Sequence, residues 1–373
     1  MHHLVESPAA PPGIDRLAAL SDQAYRFHQS LPGYQPTPLH HLPSLAHSIG
    51  IGDLHLKDES PRFGLNAFKG LGASFAIHKW IETHPGAGRV TFTTATDGNH
   101  GRSVAWAARQ AGHPAKIFIP SHAAAARVAA IRAEGAEVVL VEEGYDAAVA
   151  LAHQTAEREG LVVIQDGARP GYTDVPDWIT AGYWTHAREL EPAPHAADRA
   201  DVDLVVLHAG VGTWPAAIVA YYWNRYGTRR PRIAIVEPTR APSVISGVLA
   251  GSAVQIETPL RTVMAGLDCA QASTTALEIL SNSVDAFFTI DDAWALEAMR
   301  RLATPVGHDP MVIAGESGAA SLGGVMALLG HGDLAPVREH LGVDEETRVL
   351  VWSTEGATDP VHWEQVVGRP PVA

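Results

Sequence analysis

Short runs of continuous apolar residues alternate with helix-patterned segments along most of this chain, and that alternation narrows the fold more than any other feature. Strands are expected over residues 54–57, 89–94, 116–119, 137–141 and 161–165, with helices over 98–111, 123–133 and 146–158 between them. A Pro-, Ala- and Asp-containing linker at 192–201 precedes a second series, with strands at 203–207, 232–236, 286–290 and 348–352 and a helix at 214–226. Strands without polar alternation are buried on both faces. They belong to open, mainly parallel sheets covered by helices, so the fold class is α/β with two such sheets. Residues 1–50 are rich in Pro and Ala. A helix near 21–30 is expected there, followed by extended coil through LPGYQPTPLHHLP that wraps a domain surface.

Composition excludes several partners. The chain has 373 residues, 46% hydrophobic and 18% charged, enough for two domains sharing a substantial core. Its formal charge of −14 comes with no basic block, which argues against nucleic acid. No basic-then-apolar leader and no apolar run of about eighteen residues occurs, so a cytoplasmic protein without a membrane span is expected. A single cysteine, Cys269, excludes an intrachain disulfide framework and multi-cysteine zinc sites. The twenty histidines lack metal-ligand spacing, and the adjacent pairs His2-His3 and His40-His41 would point in different directions, so no metal site is expected.

In open parallel sheets, ligands sit beyond the carboxyl ends of the strands. Lys69 lies after the first such strand in RFGLNAFKGLG, an apolar and glycine-rich run. An ammonium there calls for a chemical reason, since burial lowers its pKa as a Schiff-base lysine requires. A helix starting near Ala67, capped by Asn66, would carry it. The loop 95–101, ATDGNHG, and the loop 208–213, HAGVGT, both lead into helices, where backbone amides can hold an anion. Asp166 follows another strand, Glu316 precedes a helix of small residues, and Ser353 and Thr354 offer hydroxyls to a ring nitrogen. Together these are the parts of a pyridoxal phosphate site: a buried amine, a phosphate loop, a polar loop and a ring-nitrogen partner.

The runs KDESPRFGLNAFKGLGASFA, TATDGNHGRSVAWAARQAG, AGVG, MAGLDC, GESGAA and STEGATDP occur in order over about residues 50–360. They resemble the fold type II pyridoxal phosphate enzymes, whose fold is that of the tryptophan synthase β chain, and within them the diaminopropionate ammonia-lyase family. The resemblance implies a large cofactor-binding domain of residues 1–90 and 200–373, a small mobile domain of 91–199, and the cofactor in the cleft between them. It also implies a homodimer acting on a small amino acid.

By the same resemblance Lys69 carries the cofactor and acts as base on one face, with Phe68 packed beside the ring. Asn99 stands by the phenolic oxygen, and Ala209, Gly210, Val211, Gly212 and Thr213 form the phosphate loop. Ser353 or Thr354 faces the pyridine nitrogen, and Glu316 adjoins the cofactor. Asp97 removes the α-proton of a D-substrate, Asp166 faces the β-amino group, and Thr96, Arg169 and Tyr172 complete the substrate pocket. The implied reaction is α,β-elimination of ammonia from 2,3-diaminopropionate. Alternatives are elimination or β-replacement on serine, threonine or hydroxyaspartate with the same lysine, a cofactor-binding protein without turnover, or a nucleotide-binding protein using the Gly210 loop. Two departures stand out. Gly167-Ala168-Arg169-Pro170 replaces the family's Thr, Ala, Trp and Glu after Asp166, and Ala357 stands where an aspartate is more usual. Arg169 would favour a substrate with a second carboxylate over a diamine.

Overall fold

In the computed structural model the described residues are 1–96, 98–191, 201–257 and 261–372. The described residues form eleven strands: β1 (His2–Leu4), β2 (Leu39–His41), β3 (Asp53–Asp58), β4 (Phe92–Ala95), β5 (Ala115–Pro120), β6 (Glu137–Val141), β7 (Val162–Val163), β8 (Leu204–His208), β9 (Arg232–Pro238), β10 (Ala286–Ile290) and β11 (Arg348–Ser353). They form a seven-stranded sheet of order β1-β10-β9-β8-β11-β3-β2 and a four-stranded sheet of order β6-β5-β4-β7. The smaller sheet is wholly parallel. In the larger sheet only the edge strands β1 and β2 run antiparallel.

The apolar runs account for the layering. In β8, Leu204 and Val206 enter one hydrophobic core while Val205 and Leu207 enter the other, and β11 divides Val349 and Val351 from Leu350 and Trp352 in the same way. Successive side chains of a strand face opposite sides, so a strand covered by helices on both faces must be apolar throughout. Each such Val or Leu contributes about 1.5–3 kcal/mol on burial.

Three expectations need correction. The segment before residue 50 supplies β1 and β2, which close both edges of the larger sheet; β2 lies where extended coil was expected, and β1 where no strand was. Three-residue edge strands carry no periodic signal, and their pairing, such as His41 with His55, is decided by the neighbour strand. The first helix runs Ile14–Ser30, longer than its apolar pattern indicated. Asn66 is not a helix cap. It has φ 58, and the helix begins at Gly70 with Lys69 as its N-cap residue. The chain at 66–68 instead pairs with the segment after β11: Phe68 N donates to Thr354 O at 3.1 Å and Gly356 N donates to Asn66 O at 3.1 Å. The linker expected at 192–201 lies almost wholly outside the described residues.

The helix Asp174–Arg188 packs against the helices Ile14–Ser30, Gly70–Thr83 and Thr213–Tyr226, beside the larger sheet. At its C-terminal end Glu189 enters a buried ion network. Arg62 donates to both carboxylate oxygens of Glu189 at 2.8 Å and to both of Glu59 at 2.9 Å, and Lys57 Nζ donates to Glu189 and to Thr37 O at 2.7 Å. Two cations and two anions, all nearly inaccessible, neutralise one another. This network ties β3 to the helix Asp174–Arg188 and fixes the start of the Lys69 stretch.

Candidate active site

The carboxyl ends of β4, β8 and β11 and the loop after β7 converge on one cleft, lined among others by Lys69, Asn99, Asp166, the Gly210–Thr213 loop, Thr354 and Glu355. Lys69 reaches it because the 66–68 pairing sets its backbone immediately before a helix whose first residues are buried. Its Nζ donates to Asp166 Oδ2 at 2.6 Å and sits 5.5 Å from the Phe68 ring centroid. Burial works to lower the Lys69 pKa, but the Asp166 carboxylate outweighs it and the net shift is upward. Burial alone does not set this lysine's charge, contrary to the sequence expectation. The Asp166 carboxyl is raised by burial and lowered more strongly by His100 and Lys69, so it is held below its ordinary range. Lys69 therefore rests as an ammonium and must pass a proton on before it can attack a carbonyl.

His100, absent from the sequence reading, backs this pair. Its Nε2 donates to Ile164 O at 2.8 Å, and its Nδ1 lies 3.8 Å from Asp166 Oδ2. That Nδ1 is buried without a hydrogen-bond partner among the described residues. Burial lowers its pKa.

The Gly210–Thr213 loop starts the helix Thr213–Tyr226, whose first turn lines the cleft and whose Thr213 and Trp214 amides have no helical partner. Gly212 has φ 91, and a Cβ on Gly210 would come within 3.0 Å of Cys269 Sγ and of Gly266 O. A left-handed turn and a close backbone approach thus require glycine at both positions. Thr213 Oγ1 donates to Asp166 O at 2.7 Å, joining the loop to the lysine's partner. Ala209 stands outside the cleft lining, its amide donating to Val236 O at 2.9 Å.

Across the cleft, Asn99 Nδ2 donates to Glu355 Oε2, whose other oxygen accepts from Ser317 N at 3.2 Å. Glu355 was not among the expected site residues, although it lies inside the STEGATDP run. Thr354 lines the cleft, whereas the Ser353 hydroxyl is turned to Glu355 O at 3.3 Å. Glu316 is also turned away and pairs with His362 Nδ1. Burial, followed by the nearby Glu355, raises the Glu316 carboxyl. Thr96 lines the cleft, with its hydroxyl accepting from Gly98 N at 2.9 Å and Gly101 N at 3.0 Å. Phe68 packs against Tyr183 and Trp214. Asp97 lies outside the described residues.

Arg169 and Tyr172 line an adjoining cavity instead of the Lys69 cleft. The Arg169 guanidinium stacks 5.6 Å over the Tyr172 ring and lies 3.0 Å from His153 Nδ1, and the Tyr172 hydroxyl accepts from Gln165 N at 2.7 Å. Away from the cleft, the sheet edge brings His41, Asp53 and His55 within 4.8 Å of one another. The two rings are stacked 4.8 Å apart at 15°, His41 Nε2 lies 2.7 Å from Asp53 Oδ1, and His55 Nδ1 is buried without a hydrogen bond among the described residues.

The residues fit pyridoxal phosphate: an amine inside the cleft, a glycine-lined cradle of amides at a helix N-terminus, and a hydroxyl and an amide on the opposite wall. The same parts recur in known proteins. A family model described as "Pyridoxal-phosphate dependent enzyme" matches residues 31–338. Diaminopropionate ammonia-lyase of Escherichia coli is 40% identical over 359 residues, covering 92% of this chain and 90% of the relative. A crystal structure of the E. coli enzyme in complex with an aminoacrylate-PLP azomethine reaction intermediate superposes with a TM-score of 0.90 at 37% identity, covering 98% of this chain and 96% of that one. Serine racemase of Schizosaccharomyces pombe is 30% identical over 63% of this chain and 68% of its own length. The chain belongs to the pyridoxal-phosphate dependent enzymes of fold type II and, within them, to the diaminopropionate ammonia-lyase family.

Proposed function

We propose that this chain is a pyridoxal phosphate-dependent ammonia-lyase that eliminates ammonia from 2,3-diaminopropionate, in its D form, its L form or both. The Cα–H and Cβ–N bonds break, ammonia leaves, and water converts the aminoacrylate to pyruvate and a second ammonia. The observation that carries this reading is the Lys69–Asp166 pair at 2.6 Å, joined to the glycine cradle through Thr213 in one cleft. The cofactor supplies the electron withdrawal that acidifies Cα when bound.

Lys69 takes the Cα proton on its own face, and Asp97 does so on the other. Asp166, kept ionised, receives the β-ammonium of a diamine, which a neutral residue would not recognise. Gly210–Thr213 amides bind the phosphate, Asn99 stands by the phenolic oxygen, and the Thr354 hydroxyl faces the pyridine nitrogen. Phe68 packs beside the ring and Thr96 braces the loop under the substrate carboxylate. Residues 91–199 act as a small mobile domain closing on the larger one, a reading supported by a four-stranded sheet drawn entirely from residues 92–163. A cytoplasmic homodimer is part of the proposal; among the described residues no helix is long and apolar enough to cross a membrane.

The test is a panel of both diaminopropionate enantiomers, serine, threonine and hydroxyaspartate, scored for 2-oxo acid and ammonia. Two ammonia per pyruvate from diaminopropionate is expected. Turnover of a hydroxy amino acid with none of either diamine would overturn the assignment, and Arg169 would then be the first residue to examine.

A further inference from the structure

His208 ends β8 in the lining of the cleft and is 2% exposed. Its Nδ1 lies 2.7 Å from Ser321 Oγ and its Nε2 lies 2.7 Å from Thr354 Oγ1, while the ring packs 4.7 Å from Trp214. Burial and, behind it, the Lys69 ammonium push its pKa down to about 3. The ring is therefore neutral, with a hydrogen on one nitrogen only. Two arrangements follow. With the hydrogen on Nδ1, the Thr354 hydroxyl donates to Nε2 and offers the cleft only lone pairs. With the hydrogen on Nε2, Ser321 donates to Nδ1, Thr354 accepts from Nε2, and its own hydrogen is free to point into the cleft.

A ligand nitrogen at Thr354 chooses between these. The first arrangement sets lone pair against lone pair unless the nitrogen is protonated, and a pyridinium there would be a buried cation beside neutral Thr354, His208 and Trp214. The nearby carboxylates are already engaged, Asp166 with Lys69 and Glu355 with Asn99 and Ser317 N. An unpaired buried charge is costly. We propose that His208 is a positioning residue which, in the Nε2–H form whose Nδ1 accepts from Ser321, aims the Thr354 hydroxyl hydrogen at the pyridine nitrogen and keeps that nitrogen unprotonated. This rests on the reading above in which Thr354 faces the pyridine nitrogen. An unprotonated ring is the milder electron sink, so the Ser321–His208–Thr354 chain favours rapid elimination over prolonged carbanion chemistry.

The experiment uses full-length holoenzyme loaded with cofactor labelled with ¹⁵N in the ring, comparing wild type with His208→Leu, His208→Gln, Ser321→Ala and Thr354→Val. In wild type the ring-nitrogen resonance should stay at its unprotonated position between about pH 6 and pH 9. In His208→Leu it should move toward the pyridinium position at the acid end, with cofactor affinity down by about tenfold. His208→Gln, whose amide can still donate to Thr354, should restore both. Ser321→Ala, at the far end of the chain, should move the resonance in the same direction by less, and it keeps the test alive if His208→Leu does not fold. If Thr354→Val moves the resonance while His208→Leu and Ser321→Ala leave it unchanged, the role given to His208 is wrong and the placement of Thr354 stands. If Thr354→Val also leaves it unchanged, the placement of Thr354 fails and the proposal falls with it.

Discussion

Two clusters of buried charge lie within one stretch of this chain, and they are built oppositely. Around Arg62, two cations meet two carboxylates, and every Arg62 donor nitrogen has a partner. A few residues on, Lys69 has Asp166 for its ammonium, Asp166 has His100 at 3.8 Å, and a buried His100 nitrogen is left without a hydrogen bond. The first cluster also has a buried imidazole nitrogen without a hydrogen bond, His186 Nδ1 at 3.9 Å from Glu59, but its charged groups do not line the cleft, so its role is to hold the fold. The second opens on a cleft, as a site that must exchange one partner for another requires. Directions of titration agree: Glu59 and Glu189 are held low, Glu59 and Glu189 in turn hold Arg62 high, and none changes charge near neutrality.

The comparison breaks most readily at Lys69. Lys69→Ala should abolish the visible absorption of added cofactor and lower turnover by at least about 10³-fold, read by spectrophotometry and pyruvate release. Next in size is Arg62→Met, which strands two buried carboxylates. A loss of about 3–5 kcal/mol in urea unfolding is expected. Partial recovery should follow when Glu59→Gln is added; a single variant with unchanged midpoint would mean the network is not buried as drawn.

Acid sharpens the contrast from another side. His28, His186 and His208 are buried neutral, with pKa values near 3, 4 and 3, against about 6.5 when unfolded. Between those limits the unfolded chain binds more protons than the folded one, so stability falls as pH falls from about 6.5. Each histidine should cost about 2 kcal/mol at pH 5, before the carboxylates of the Arg62 network begin to titrate. Urea midpoints at pH 7 and pH 5 measure this, and His28→Gln should remove about a third of the difference. The smallest effect belongs to Arg169→Ala, which should change stability by less than about 0.5 kcal/mol and leave the cofactor band intact. A large rise in KM for diaminopropionate would show that this side chain reaches the substrate after all.

Legibility in the sequence followed the range of the interaction. The strands at 137–141 and 286–290 were expected with the bounds they have, because a run of apolar residues between turns is a local signal. The helix expected at 146–158 runs Tyr145–Glu159 for the same reason. Edge strands β1 and β2 escaped, since their register comes from β10 and β3. Asn66 misled because an Asn before an apolar run reads as a cap, yet here its chain pairs with residues nearly three hundred positions away. His100 sat within a quoted motif and drew no attention, for nothing local distinguishes a buried imidazole behind a carboxylate from an exposed one.

What the sequence determined alone was the α/β class, the loops at strand ends and Lys69 as their centre, because periodicity and loop composition are properties of neighbouring residues. The tertiary structure decided the rest: that Lys69 is charged, through Asp166 from another strand end; that Thr354 and not Ser353 lines the cleft; and that His208 is hydrogen-bonded to it. Charge state and hydrogen-bond direction depend on which groups lie within about 3–4 Å in space, and only folding brings those groups together.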